Sequence, residues 1–502
     1  MSVRARLQRV NVNLTDPETI ADLARDAFAE GEEQLAAPIV LAAATRREDP
    51  RLWQWAGLLH RALDEHSTAI ECLTIAARVA PEDAKIAQAQ AHVSLEAGLD
   101  AEALFERARG LAPDNSAVLI GLTAARIAAG HGNRAIAELD DILDAVPLWI
   151  EGHSQLAQLH SLLGRASSAS ASLERAMSKF PGERSLWLAR CDLSLRSEAH
   201  EELQELVGRA EAAGATGAEF DCYGAIAAGE LSDPHADSLL SEDAAAANPA
   251  LAVWRIRHLL RQDRVLEVLP LIDRELRSER RQAVWPYAAV AWRLAGDPRS
   301  AWLEDRPSLV SVIDIGVDLT PMAPLAGCLR ALHERSGQFL DQSVRGGSQT
   351  DGPLFCRIEP EVRSLRAVVA SAVAQYVANL PAPDYEHPLL GPPRNRRIRF
   401  SGSWSVRLQG RGHHANHVHP LGWISSALYI SVPERQAGDA GDSGWLILGE
   451  PDESLGVAAP AHTKIEPKEG KLVLFPSWMW HGTRPFAEGE RMTVAFDVAP
   501  PR

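Results

Sequence analysis

The sequence predicts a chain of two architectures: an α-solenoid of stacked helical hairpins over residues 1–300, and a double-stranded β-helix of the jelly-roll, cupin-like kind over 396–502. A connecting and supporting segment, 301–395, joins them. Three observations predict this. Pro50, Pro81, Pro113, Pro147 and Pro181 fall 31 to 34 residues apart, the sequence between them is Ala- and Leu-rich with helical periodicity, and after Arg394 short apolar runs alternate with Gly/Pro/Asp-rich turns. At 502 residues the chain also exceeds what one ordinary core can organise.

Within the solenoid, Pro81, Pro113 and Pro147 are each followed seventeen residues later by a glycine: Gly98, Gly130 and Gly164. Proline precedes the first helix of a hairpin, glycine makes the tight turn, and the second helix packs back on the first. Pro249 lies two 34-residue periods after Pro181, so the pattern runs on through a degenerate unit near 182–248. Trp53, Trp149 and Trp187 are expected between helices. Such hairpins bury their apolar faces only by stacking, and the concave surface they create suits either a bound peptide or a structural, homodimerising role.

In the connecting segment, Asp341 to Pro353 reads as a polar loop. It lacks the Lys-Ser/Thr ending of a phosphate-binding loop, and its Arg345, with Gln342 and Gln349, is expected either in solvent or at a substrate entrance. From Glu359 to Leu380, Val362, Leu365, Val369, Val373 and Tyr376 recur at helical spacing, and Pro381 and Pro383 end the run. Strands are expected at Phe400 to Leu408, Trp423 to Val432, Gly444 to Leu448, Lys471 to Phe475 and Met492 to Val498.

Composition narrows the function classes. Hydrophobic content of 46% with 24% charged residues is that of a globular protein, no apolar run reaches membrane-spanning length, and the N-terminus lacks a signal-peptide core, so a cytoplasmic protein is expected. The five cysteines are scattered, with no pair spaced for a zinc knuckle or redox dithiol. The net charge of −16 is unevenly held: 20 basic and 22 acidic residues follow residue 300, leaving 31 and 45 before it, or about −2 against −14. That balance argues against nucleic acid and for a basic or neutral polypeptide partner.

The chemistry concentrates in Gly412 to Pro420, where His417 and His419 stand two apart. On a strand that spacing aims two imidazoles at one point, and His481 offers a third. On ligand type alone the three could hold iron, zinc, copper, nickel or manganese. Arg491 narrows the choice, because its cationic fork could grip the far carboxylate of a small diacid whose other end chelates the metal, with Thr493 on the same strand face.

Three blocks in order, His414 to Ser426, Gly470 to Thr483 and Arg491 to Asp497, resemble the 2-oxoglutarate/Fe(II)-dependent oxygenase domains found behind tetratricopeptide repeats in bacteria. The likeness extends upstream through Ser403 to Leu408 and the Gln342-to-Thr350 stretch, and the repeats over about 30–300 resemble tetratricopeptide repeats. The resemblance implies that His417, His419 and His481 bind Fe(II), and that Arg491 holds 2-oxoglutarate with help from Tyr429. It implies a hydroxylase that uses O2, acting on a peptide or protein side chain presented by the repeats. His419 departs from the Asp or Glu usual in the wider superfamily. Trp404 and Trp423 are candidate pocket walls, and His414 and Asn416 candidates to face substrate or support the ligands. Two other readings compete: small-molecule oxidation, and a cupin or scaffold without turnover. The cupin reading lacks the glutamate expected after the paired histidines, since Leu421 to Ile424 fill that stretch.

Overall fold

The computed structural model describes residues 2–334, 343–436 and 441–501. It divides into two compact units, Met1–Leu139 with Gly352–Arg366, and Asp140–Asp351 with Ala367–Pro501.

The turns within the hairpins are punctuated by residues in the left-handed backbone region. These are Gly31, Asp64, Gly98, Gly130, Gly164, Glu198, Ser232, Asp263 and Gly296, spaced 31 to 34 residues apart. Four of the nine are not glycine, which is why glycine spacing alone reveals only part of the repeat. Helix starts are equally regular. Asp83 accepts hydrogen bonds from the Lys85 and Ile86 N–H groups, and Asn115 from those of Ala117 and Val118.

In the first unit the core is built mainly from alanine and small aliphatic side chains, among them Ala24, Ala27, Ala36, Ala37, Val40 and Ala56, with Leu52 and Leu59. Small residues let the helices approach closely. Buried Arg126 is paired with Glu102, Glu106 and Glu138, so its charge is compensated where solvent is excluded. The stretch 352–366 belongs to this unit. The Ile358 N–H donates to the Ala97 carbonyl, and Arg366 donates to the carbonyls of Leu63 and Asp64, so the segment binds the exposed backbone of two hairpin turns.

The second unit contains the later hairpins and all the sheet. Nine strands are present among the described residues: β1 (Ser311–Asp314), β2 (Val344–Gln349), β3 (Phe400–His414), β4 (Ile424–Ser431), β5 (Leu446–Leu448), β6 (Thr463–Ile465), β7 (Lys471–Pro476), β8 (His481–Thr483) and β9 (Glu490–Val498). They form an antiparallel six-stranded sheet in the order β1-β7-β4-β9-β3-β2 and a three-stranded one, β6-β5-β8. The expected strands are all present, with shifted ends. The expected helix before them runs from Pro360 to Asn379.

One expectation is corrected. The middle six of the thirteen residues of the supposed loop, Val344–Gln349, are strand β2, whose residues Val344 and Arg345 pair with His414 and His413 of β3. Its glycines and polar residues hide the strand because it lies at the sheet edge, where little of it is buried. Gln342 lies outside the described residues.

Helices Ala252–Arg261, Val265–Glu275 and Arg281–Ala295 share one apolar cluster with β4, β5 and β7 and with the turn before β8. The indole N–H of Trp480 donates to the Pro286 carbonyl, and the Tyr287 ring meets that of Trp480 edge-on at 5.8 Å. Arg293 donates to the Gly449 and Pro460 carbonyls. No helix among the described residues is long and apolar enough to cross a membrane.

Candidate metal centre

His417 and His419 lie just beyond β3, on the way to β4, and His481 opens β8. The expected strand spacing is met differently from the simple alternation. His417 and His481 pair across an isolated bridge, each N–H donating to the other's carbonyl at 2.9 Å, while the His419 N–H donates to the Ser477 carbonyl. The bridge holds two of the imidazoles side by side, ring centroids 4.2 Å apart, with His419 5.0 Å from each. Ligand atoms of all three lie within 4.8 Å of one another.

Each ring has its Nδ1 engaged by an oxygen. The partner is the Ala415 carbonyl at 2.9 Å for His417, the Met479 carbonyl at 3.0 Å for His481, and the Asp497 carboxylate at 2.8 Å for His419. Carbonyls and carboxylates only accept, so Nδ1 carries the hydrogen and Nε2 keeps the lone pair a cation would use, with the Ser343 hydroxyl 3.4 Å from that of His417. Burial pushes His481 well below the usual histidine range and His417 down to about 3, with the neighbouring histidines acting in the same direction, so both rings stay neutral near pH 7. The chemistry of this donor set fits a borderline divalent ion.

Backbone space fixes the arrangement at one position. A Cβ on Gly482 would stand 2.1 Å from Asn416 Oδ1 and 2.9 Å from the His414 carbonyl oxygen, so the residue after the third histidine has room only for hydrogen.

A cleft opens on the triad. Val406, Leu446, Phe475 and Trp404 give it apolar walls, and Arg491, Thr493, His414 and Thr483 contribute its polar groups. Arg491 is only 2% exposed, its guanidinium sits 5.1 Å from the centre of the Tyr429 ring, and its Nε has no hydrogen-bond partner among the described residues. The buried Tyr429 hydroxyl has no close partner among the described residues and acts on the Arg491 guanidinium beside it. Burial lowers the Arg491 pKa and raises that of Tyr429, and no carboxylate is among the groups acting on this arginine. A buried cation without a counter-charge is costly, and an incoming anion would relieve that cost.

The other residues named from sequence divide. His414 and Trp404 line the cleft, His414 with its Nδ1 3.1 Å from the Ser343 hydroxyl. Asn416 donates to the Pro451 carbonyl, buried Trp423 donates its indole N–H to the Leu389 carbonyl, and Arg345 is exposed on the edge strand; none of these three lines the cleft. Two residues to which sequence reasoning gave no role are Asp497 and Ser425. Asp497 shares the β9 face of Arg491, Thr493 and Ala495, so period-two counting could have found it.

Comparison with known proteins gives two matched stretches. Residues 402–497 match the family described as "Putative 2OG-Fe(II) oxygenase", and residues 96–159 match the tetratricopeptide repeat. No curated protein sequence matches the chain. Among solved structures, a tetratricopeptide repeat protein from Parabacteroides merdae aligns at 15% identity, covering 44% of this chain and 88% of that one, TM-score 0.32. A Pseudomonas putida prolyl-4-hydroxylase aligns at 18% identity, covering 39% of this chain and 94% of its own, TM-score 0.27. A thermophilic TPR protein of Thermus thermophilus aligns at 18% identity, covering 34% and 94%, TM-score 0.26. The chain therefore carries a tetratricopeptide-repeat region at 96–159 and, at 402–497, a domain matching the 2OG-Fe(II) oxygenase family, which holds all three clustered histidines and the buried arginine.

Proposed function

We propose that the chain is an Fe(II)- and 2-oxoglutarate-dependent dioxygenase of cytoplasmic location that hydroxylates a peptide or protein side chain. In this reading the two sheets form a double-stranded β-helix. The observation that carries the proposal is the pairing, in one cleft, of three imidazoles whose Nδ1 atoms are each held by an oxygen with a buried arginine that has no carboxylate partner among the described residues.

His417, His419 and His481 would hold the metal, and Arg491 would take the distal carboxylate of 2-oxoglutarate, with the Thr493 and Tyr429 hydroxyls beside it. When bound, Fe(II) and 2-oxoglutarate supply oxidation of a C–H bond by O2, giving succinate and carbon dioxide as co-products. The chain's own contribution is position and dryness. The carbonyls of Ala415 and Met479 and the carboxylate of Asp497 hold each imidazole in one tautomer and orientation. Val406, Leu446 and Phe475 keep water from the reacting end, and Trp404 and His414 remain on the walls to meet a substrate. The repeats support a polypeptide substrate, since stacked hairpins offer an extended surface suited to one.

The test is anaerobic titration of metal-free protein with Fe(II) and then 2-oxoglutarate, following the visible charge-transfer band of a bidentate keto-acid chelate. The band is expected in the wild type, absent in His481→Ala, and formed only at much higher co-substrate concentration in Arg491→Ala. Fe(II) binding with no chelate band at any concentration would defeat the oxygenase reading.

A further inference from the structure

The three imidazoles are not held alike. His417 and His481 donate to neutral carbonyls, whereas His419 donates to a carboxylate, with Nδ1 2.9 Å from one Asp497 oxygen and 2.8 Å from the other. Asp497 is itself anchored. It stands opposite Ser425 in the β4–β9 register, and the Ser425 hydroxyl donates to its Oδ1 at 2.6 Å. The Ser425 and Ser477 hydroxyls lie 3.0 Å apart. A hydroxyl has one hydrogen, and Ser425 gives its own to the carboxylate, so Ser477 donates to Ser425. The result is a directed chain: Ser477 to Ser425 to Asp497, with His419 donating to Asp497 from the other side. Ser477 is fully buried, and its backbone carbonyl accepts the His419 N–H, so one residue fixes both the ligand's main chain and the far end of the network.

Three neutral ligands leave the two positive charges of a divalent cation undiminished. Asp497, with its side chain only 14% exposed, is the carboxylate hydrogen-bonded to a member of the triad. A carboxylate that accepts an imidazole N–H makes that imidazole a stronger, more anionic donor. We propose that Asp497 supplies, one hydrogen bond removed from the metal, the negative charge that the three-histidine set lacks, and so governs both how tightly the site holds its cation and how strongly it attracts an anionic co-substrate. This rests on the metal-centre reading above. It makes Asp497 a positioning and charge-setting residue, with Ser425 as its support.

The two effects have opposite signs, which separates charge from mere packing. Removing the charge weakens cation binding. It also leaves the loaded site more positive, so an anion binds more tightly than before. A loosened site would lose both.

The experiment uses the full chain. Metal-free wild type, Asp497→Asn, Asp497→Ala, Ser425→Ala and His481→Ala are titrated with Co(II), read by its visible d–d bands, and the Co(II)-saturated proteins are then titrated with 2-oxoglutarate. Expected is a Co(II) Kd raised roughly 10- to 100-fold in Asp497→Ala, about tenfold in the isosteric Asp497→Asn, and less in Ser425→Ala. In Asp497→Asn the Co(II) bands shift and 2-oxoglutarate binds more tightly; an unchanged 2-oxoglutarate affinity overturns the part of the inference that concerns the co-substrate. Asp497→Asn with wild-type Kd and spectrum overturns the inference while leaving the metal-centre reading intact, as does a variant that loses Co(II) and 2-oxoglutarate affinity together. Wild type without bands that depend on His481 defeats the metal-centre reading itself, and this inference with it. Should Asp497→Ala fail to fold, the Asn and Ser425 variants carry the test.

Discussion

Residues 1–139 and residues 252–304 are built from the same kind of helical hairpin, yet they bury different surfaces. The first stretch packs Ala24, Ala27, Ala36 and Ala37 against neighbouring helices of its own kind. The last hairpins bring Trp285, Tyr287 and Trp292 into a cluster that also contains Tyr429, Phe475, Trp478 and Trp480 of the sheet region. The difference teaches that a repeat helix can be the back wall of the sheet that carries the histidine cluster, and that side-chain size shows it. Alanine seams suit helices that approach closely, whereas large aromatic rings span the wider, uneven gap between helix and sheet.

The largest expected effect breaks the chain between the two architectures. A fragment beginning at residue 301 loses the helices that cover Trp478, Met479 and Trp480. At about 2 kcal/mol per uncovered apolar side chain, losing about six such contacts cancels most of the roughly 5–15 kcal/mol by which domains are stable. The 301–502 fragment is therefore expected to be insoluble or molten, and a fragment beginning at residue 140, which keeps the whole shared cluster, to show a cooperative thermal transition and near-ultraviolet tryptophan dichroism. A well-folded 301–502 fragment would dissolve the distinction.

A pair of point substitutions sharpens it. Phe105 is fully buried among the early helices and meets His92 edge-on, and Trp480 is 5% exposed among the late ones. Replacing either by alanine is expected to cost about 3–5 kcal/mol in chemical denaturation. Only Trp480→Ala should also weaken divalent-metal binding, because its backbone leads directly into His481 and its indole is tied to the Pro286 carbonyl. Equal metal affinity in the two variants would show that the last hairpins stabilise the sheet without positioning the ligand.

Acid separates the two units. In the second, burial holds His333 and His387 down to about 4, where each ring is engaged by protein partners: the Ser348 and Ser405 hydroxyls for one, the Leu303 carbonyl and two backbone N–H groups for the other. A histidine whose folded pKa lies below its unfolded value near 6.5 makes the unfolded chain bind protons first. Stability is thus full above about 6.5 and falls as pH drops towards 4, by up to roughly 3 kcal/mol for each ring. In the first unit, burial pushes the Glu96 carboxyl up, but hydrogen bonds from His66 and Arg61 outweigh it and bring it down to about 2. Its contribution persists to near pH 4.5 and disappears only towards pH 2. Burial also holds His92 of the first unit below the usual range, so thermal unfolding followed from pH 8 to pH 3 should show both units weakening and the second, with more such rings, weakening more; His387→Gln should flatten its part of the profile.

Sequence and structure agree where the signal is local and periodic. The Pro/Gly spacing, the helix closing at Asn379 and five of the β-runs were legible because side-chain patterning tracks burial directly. The three histidines and Arg491 were legible as chemistry, since residue type and order suffice to suggest a site. Three features were not. Strand β2 carries two glycines and faces solvent along much of its length, so neither alternation nor β-branching marks it. Trp423 and Asn416 read as pocket residues because aromatic and amide side chains beside ligands often are. Their hydrogen bonds, to Leu389 and Pro451, come from segments whose proximity no local pattern encodes. The grouping of 352–366 with the first hairpins depends on backbone groups of Ala97, Leu63 and Asp64, and backbone acceptors leave no sequence signature.

The smallest effect concerns the hairpin turns themselves, where early and late repeats differ in chemistry for the same geometry. Gly130 turns at φ +83° with nothing within 4 Å of an added Cβ, so Gly130→Ala meets no steric neighbour and isolates the cost of the left-handed backbone, about 1–2 kcal/mol. Ser232 turns at φ +56°, is exposed, and already bears that strain in the degenerate unit. Ser232→Gly relieves it, but glycine also widens the unfolded ensemble by a similar amount, so the net gain is expected at a few tenths to about 1 kcal/mol. Equilibrium denaturation of the two variants checks both signs. A destabilised Ser232→Gly would mean that the serine side chain stabilises its turn by more than the backbone strain costs, and the degenerate unit would then be specified by its own contacts instead of being a weakened copy of its neighbours.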